Sequence, residues 1–286
     1  MAKIAITGAS GFVGTNLTNI FHQEGYDVIA IKRDELKDVE KLTKILDGCE
    51  VVVNLAGANI INRWSDEYKN LLYSSRIGTT RQLVKAMKRT YQKPKLFIST
   101  SAVGIYSNQD QYDEENYKHG DDFLANLCKD WEAEASKASE LGIRTVIFRF
   151  GIVMGQGGAL SKMLLPFKLG LGGTIGDGTQ AFSFVHIEDL KKAFVFTMTN
   201  ENTEGVYNMT SPIPTTNLGL TNALGKSLRR PTVLPVPSFV LDLIFSEGSK
   251  VLTDGQSAVP KRLIDAGFEF EFHTIEDTIE NLVHNM

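Results

Sequence analysis

The stretch Lys3-Ile4-Ala5-Ile6-Thr7-Gly8-Ala9-Ser10-Gly11-Phe12-Val13-Gly14 decides how this chain is read. Ile4 and Ile6 suit a buried strand, glycines follow at Gly8, Gly11 and Gly14, and an apolar stripe through Val13, Leu17, Ile20 and Phe21 continues at helical spacing to Gly25. A glycine turn between strand and helix lets a pyrophosphate approach with no Cβ in the way, and it faces the N–H groups of the helix start toward the anion. Thr7, Gly8, Gly11, Phe12, Val13 and Gly14 are therefore the expected phosphate-binding segment of a dinucleotide site. The plainer alternative is a tight turn with no ligand.

Outward from this turn, Asp27 to Ile31 reads as a second parallel strand ending in Lys32-Arg33-Asp34. An acidic residue there would hold the ribose 2′-hydroxyl of NAD, whereas a cation would pair with the 2′-phosphate of NADP. Lys32 and Arg33 point to NADP; the alternative leaves both as solvated cations and puts Asp34 on the ribose. Lys41 to Leu46 is expected to be helical, and Glu50 to Ala58 is a buried strand running out into small residues. Asn54, Leu55, Ala56 and Gly57 would border the cofactor at the carboxyl end of the sheet, where doubly wound folds bind ligands. A helix through Thr80, Leu83, Val84 and Met87 and a strand from Lys95 to Ser101 continue the alternation, which implies an α/β fold, a Rossmann-type doubly wound parallel sheet.

A length of 286 residues is enough for a large core and two lobes. Apolar content of 42%, charged content of 22% and a mean hydropathy of -0.10 describe an ordinary globular composition. The net charge of -4 offers a nucleic-acid partner little attraction. No apolar run has the length of a membrane span, and the N-terminus opens directly on a strand, so a cytoplasmic protein with a small-molecule substrate is expected. Cys49 and Cys128 lie in unrelated contexts and the histidines are scattered, so neither a disulfide framework nor a metal cluster is expected. Oligomeric state leaves no mark in the sequence.

Thr7-Gly8-x-x-Gly11-x-x-Gly14, Asn54-x-Ala56-Gly57, the Ser101 strand end, Arg149-x-Gly151 and Gly176-x-Gly178 with Val185-His186-x-x-Asp189 resemble an extended short-chain dehydrogenase/reductase. Arg63-Trp64, Ser75-Arg76, Ser101-Ala102-Val103-Gly104, Trp131-Glu132, Gly157-Gly158-Ala159 and Asn208-x-x-x-Pro212-x-Pro214 resemble its atypical epimerase-like branch, which carries its own C-terminal domain. The resemblance implies an oxidoreductase or epimerase-like activity resting on a tyrosine acid/base, a lysine four residues later and a serine that orients the substrate oxygen. Aligned on Trp131-Glu132, the tyrosine position is Leu124 and the lysine position Cys128, so only Ser101 of the triad remains. Leucine has no proton to give and a neutral thiol no fixed charge. Tyr91-x-x-x-Lys95 has the right spacing, but Pro94 breaks the helix it needs.

Tyr106, Lys69 and His186 are the other candidate proton donors, Tyr106 foremost because it follows the Ser101 strand end. Buried scaffold is the competing role for Tyr106, a solvated cation for Lys69, and a strand position before a helix-capping Asp189 for His186. The resemblance further implies an arginine for a substrate diphosphate at the position occupied by Phe182, so a small, rather apolar carbonyl or alcohol is expected in place of a nucleotide sugar. With two triad positions lost, a catalytically weak NADPH-binding sensor is the alternative function.

Residues 1–153 and 177–210 are expected to form the NADP-binding sheet domain, and 154–176 with 211–286 a substrate or cap lobe. Within that lobe Thr216 or Asn217 caps a helix, Pro260 opens a short helix that ends at Gly267, and Phe268-Glu269-Phe270-Glu271-Phe272 alternates as a strand with one aromatic face.

Overall fold

The computed structural model describes residues 1–285. The strands Lys3–Thr7 (β1), Asp27–Ile31 (β2), Val51–Asn54 (β3) and Leu96–Ala102 (β4) join Arg144–Phe150 and Gly205–Met209 in one parallel sheet of six. Across the sheet the order is Gly205–Met209, Arg144–Phe150, β4, β3, β1, β2, so the direction of winding reverses between β1 and β3. That reversal opens a crevice at the carboxyl ends of those two strands.

Strand alternation sorts the two faces. Ile4, Ile6, Val53, Ile98 and Phe148 pack against the helices Phe12–Gln23 (α1) and Ile187–Thr199, while Ala5, Val52, Phe97 and Ile147 pack against Val39–Leu46, Thr79–Arg89 and Phe123–Ser136. A second core joins Leu160, Leu164 and Phe167 to Leu220, Leu224, Ile275 and Ile279, and Phe182 and Phe184 lie inside it.

The division expected at residues 177 and 211 is therefore crossed in both directions. Phe182 and Phe184 belong to the second core, whereas Leu263, Phe268 and Phe270 complete the core of the main sheet. Phe268 to Phe272 is also not a strand. The Asp189 carboxylate accepts from the backbone N–H groups of Glu271 (2.8 Å) and Phe272 (3.0 Å), which a ladder would have needed.

Asp189 consequently does not cap its helix. His186 does, its Nδ1 accepting from the Glu188 backbone N–H at 3.0 Å while its ring stacks on Phe272 at 3.7 Å. Burial pushes the His186 pKa down to about 4, against the opposing pull of Glu188 and Glu271; Lys191 adds to the lowering. The unfolded chain, with an imidazole pKa of roughly 6.5, binds the proton first, so stability falls as pH drops from about 6.5 to about 4, by up to roughly 3 kcal/mol. Urea midpoints at pH 7 and pH 5 should show this slope, and His186→Asn should flatten it. An unchanged slope in that variant would assign the acid sensitivity elsewhere.

Candidate functional site

Two polar rows cross the carboxyl ends of the strands. In the first, Thr7, Asn54 and Ser99 stand abreast on β1, β3 and β4. Thr7 Oγ1 donates to Asn54 Oδ1 at 2.8 Å and accepts from the backbone N–H groups of Leu55 and Ala56, both at 3.1 Å. Asn54 Nδ2 donates to Thr80 Oγ1 at 2.9 Å, and Trp131 Nε1 reaches the same oxygen at 2.9 Å. Thr7 and Asn54 are fully buried, so their side chains shape the strip Leu55-Ala56-Gly57 from beneath. That corrects the expectation that these two side chains line the ligand space directly.

The glycine turn lies beside this row. Gly8 has φ +70°, Gly11 N–H donates to Gly8 O at 3.0 Å, and α1 begins at Phe12. A Cβ on Gly14 would lie 2.2 Å from Gly8 O, so glycine is required for this closure. No side chain caps α1 and no acidic residue sits in its first turn, which leaves the helix start available to an anion. The Phe12 ring turns toward the loop after Met154, where a Cβ on Gly155, Gly157 or Gly158 would meet it at 2.6 to 2.9 Å. At the end of β2, Lys32 and Arg33 are exposed and neither forms a salt bridge among the described residues. The Lys32 backbone N–H donates to the Glu35 carboxylate at 2.7 Å, and that carboxylate also faces Lys41 at 3.8 Å. These features fit a dinucleotide with a phosphorylated ribose.

The second row is Ser101, Arg149 and Asn208, abreast on β4, Arg144–Phe150 and Gly205–Met209. Ser101 Oγ donates to Glu132 Oε1 at 2.7 Å, and Arg149 grips both oxygens of the same carboxylate at 2.8 Å. Arg149 Nη1 also donates to the Tyr106 hydroxyl at 2.8 Å, which donates to Asn208 Oδ1 at 2.7 Å. Burial works against the Arg149 charge, but the bonds from Glu132 outweigh it and hold the guanidinium protonated. Ser101 thus has its own hydrogen committed to a buried carboxylate, and what it retains for a ligand is acceptor capacity.

Tyr106 is 1% exposed and its pKa is pushed up to about 12, first by burial, so its hydroxyl acts as a link in this row in place of the proton donor read from the sequence. Lys69 is paired with Glu247 and lies over the Phe123 ring, and His186 caps a helix beside Phe272. Cys128 is buried and its thiol is pushed up to about 12, chiefly by desolvation, so it stays neutral. Glu132 and Arg149 were present in the sequence motifs but without a role, because only the strand register brings them to Ser101.

A cavity of about 260 Å³ opens beside this row, lined by Tyr106, Ser107, Lys118, His119, Lys250 and Asp254 among others. It is polar, whereas an apolar substrate was expected from Phe182. That ring stacks on Phe184 at 6.4 Å inside the second core and lines no part of this cavity. Among the described residues there is no cluster able to hold a metal, and no helix is long and apolar enough to cross a membrane.

Residues 4–210 match the NAD dependent epimerase/dehydratase family, and residues 236–282 match a domain of unknown function, DUF1731. Epimerase family protein YfhF of Bacillus subtilis is 35% identical over 98% of both chains. Epimerase family protein SDR39U1 of Mus musculus is 36% identical over 98% of this chain and 99% of its own. The crystal structure of the human SDR39U1 (isoform 2), determined with NADPH, superposes with a TM-score of 0.91 at 33% identity, covering 99% of this chain and 100% of that one. The glycine turn, the Asn54 strip and the six-stranded sheet are thus those of a known group, and the chain belongs to the NAD dependent epimerase/dehydratase family, with the DUF1731 domain at its C-terminal end.

Proposed function

We propose that this chain binds NADPH and serves as an atypical reductase or epimerase-like oxidoreductase for a small carbonyl or alcohol. The observation that carries the reading is the pairing of an uncapped glycine-turn helix start with the free cations Lys32 and Arg33 at the end of β2. The human relative solved with NADPH supports it. Bound there, the nicotinamide would give or take a hydride. The chain's own part is to hold the dinucleotide along the turn, the Leu55-Ala56-Gly57 strip and the β2 end, and to offer Ser101 as an acceptor for a substrate hydroxyl. The 260 Å³ cavity favours a small substrate over a nucleotide sugar, since drug-sized ligands occupy roughly 300–1,000 Å³.

Cofactor choice has a direct test. Arg33→Ala should weaken NADPH binding roughly tenfold or more, by loss of a charged hydrogen bond, while leaving NADH unchanged. Equal affinity of the unaltered protein for the two dinucleotides would overturn the assignment.

A second reading, a catalytically weak NADPH-binding sensor, is favoured by one observation. Every hydroxyl and thiol of the triad region is engaged or neutral: Ser101 on Glu132, Tyr106 on Asn208, and Cys128 near pKa 12. Following NADPH absorbance with a panel of aldehydes, ketones and quinones separates the two. Turnover of any of them removes the sensor, and tight binding without turnover removes the reductase.

A further inference from the structure

Arg76 is a half-buried cation with no counter-ion. Among the described residues no carboxylate lies within salt-bridge distance of it. Nη2 donates to Ala58 O at 2.9 Å and Nη1 to Leu72 O at 3.4 Å, while the guanidinium lies over the Trp131 ring at 5.4 Å. Nε makes no hydrogen bond within the protein and is not closed off from solvent. Burial pulls the pKa of this guanidinium down from its ordinary value, as it does where no anion compensates the charge.

Its position is built, not incidental. Ser74–Gly78 is a single turn of π-helix, an irregular turn frequent at functional sites. It brings two successive residues to one peptide, since Ser75 Oγ accepts from Ala58 N–H at 3.0 Å while Arg76 takes Ala58 O. Gly57, on the expected cofactor strip, is needed here as well, because a Cβ would meet Arg76 Cζ at 3.1 Å. From the helix Phe123–Ser136 come Trp131 under the guanidinium and Cys128 near enough to act on its charge.

We propose that Arg76 is a cofactor-binding residue that holds the nicotinamide half of the dinucleotide, in place of the lysine whose position Cys128 occupies. The inference rests on the NADPH reading above. Sheet order places the two halves. Arg33 ends β2 on one side of the glycine turn, and β3 and β4 lie on the other, so a dinucleotide with its adenosine phosphate at Arg33 extends toward the Gly57 strip and Arg76. A guanidinium with an unused donor there supplies the fixed charge and the directed N–H that a neutral thiol lacks.

The test is binding of NADPH, NADH and adenosine 2′,5′-bisphosphate to Arg76→Met and Arg76→Lys by titration calorimetry. Arg76→Met should weaken both dinucleotides by roughly 10-fold to 100-fold, the range for a hydrogen bond to a charged group, and leave the bisphosphate unchanged. Arg76→Lys, which keeps the charge, should retain most of the affinity. Should Arg76→Met fail to fold, Arg76→Gln, which keeps a donor for Ala58 O without the charge, replaces it. Unchanged dinucleotide affinity overturns the inference, as does equal loss in the lysine and methionine variants, which would make Arg76 a strap on Ala58 only. Equal loss of the bisphosphate would point to a loosened fold and also overturn it. Failure of the unaltered protein to bind NADPH would instead remove the parent reading.

Discussion

Glu132→Ala is expected to cost about 3–5 kcal/mol of stability and to lower the melting temperature by on the order of 10 °C. The alanine removes the carboxylate that Arg149 grips through Nε and Nη2, both at 2.8 Å, and that accepts from Ser101. Arg149 is 3% exposed, so its guanidinium would be left buried with only the Tyr106 hydroxyl and two flanking aromatic rings, Tyr106 and Tyr117, each 5.0 Å from Cζ. Leaving such a charge unpaired costs far more than the pair itself contributes. Hence the Glu132→Ala/Arg149→Met double variant should be more stable than the sum of the two single losses implies, a coupling that a double-mutant cycle in urea reads directly. A loss below about 1 kcal/mol in the single variant would mean that water or another anion reaches Arg149.

The same pair explains why the triad region is closed. Ser101 and Glu132 stand on β4 and the helix Phe123–Ser136, Arg149 on the neighbouring strand, and Asn208 on the edge strand. From Asn208 the chain of bonds runs on to the C-terminal segment, where Asn208 Nδ2 donates to Val259 O at 2.9 Å and Glu114 accepts from the Asn208 and Arg262 backbone N–H groups. A lysine at position 128 would bring a further cation into a place that already holds Arg149 and Arg76. The neutral Cys128 is the residue compatible with both.

How much of this was legible depended on whether the signal was local. The glycine turn, the β3 strip and the alternation of strands and helices are short-range patterns, and each corresponds to what the structure contains. The Ser101–Glu132–Arg149–Tyr106 row is not local, since its members lie in four segments and meet only through strand register. Phe268 to Phe272 failed for the opposite reason. Its period of two is a genuine strand pattern, but Asp189, from a distant helix, takes the N–H groups that a partner strand would use. Asp189 was itself free to do so because the His186 ring had taken the cap. Phe182 shows the limit of reading a substitution by alignment, because a side chain that replaces an arginine need not point where the arginine did.

The largest effect on ligand binding is expected from Gly14→Ala. One added methyl group would stand 2.2 Å from Gly8 O and 2.7 Å from Ala9 Cα, and all of these atoms are backbone, so no side chain can swing away. Relief requires the turn to open or α1 to shift along its axis. The buried side of α1 resists, since Leu17 and Phe21 are fixed in the core against Ile4 and Ile6. The turn therefore opens, the Gly11 N–H to Gly8 O bond at 3.0 Å lengthens, and the helix start no longer faces the crevice between β1 and β3. Overpacking of this kind costs about 1–3 kcal/mol in stability, which the core can absorb, so the variant should fold. Loss of even one charged hydrogen bond to a pyrophosphate is worth roughly 10-fold to 100-fold in affinity. NADPH, NADH and adenosine 2′,5′-bisphosphate should accordingly all weaken together in Gly14→Ala, unlike the selective losses expected at Arg33 and Arg76. A folded Gly14→Ala protein with undiminished NADPH affinity would move the phosphate site away from the turn.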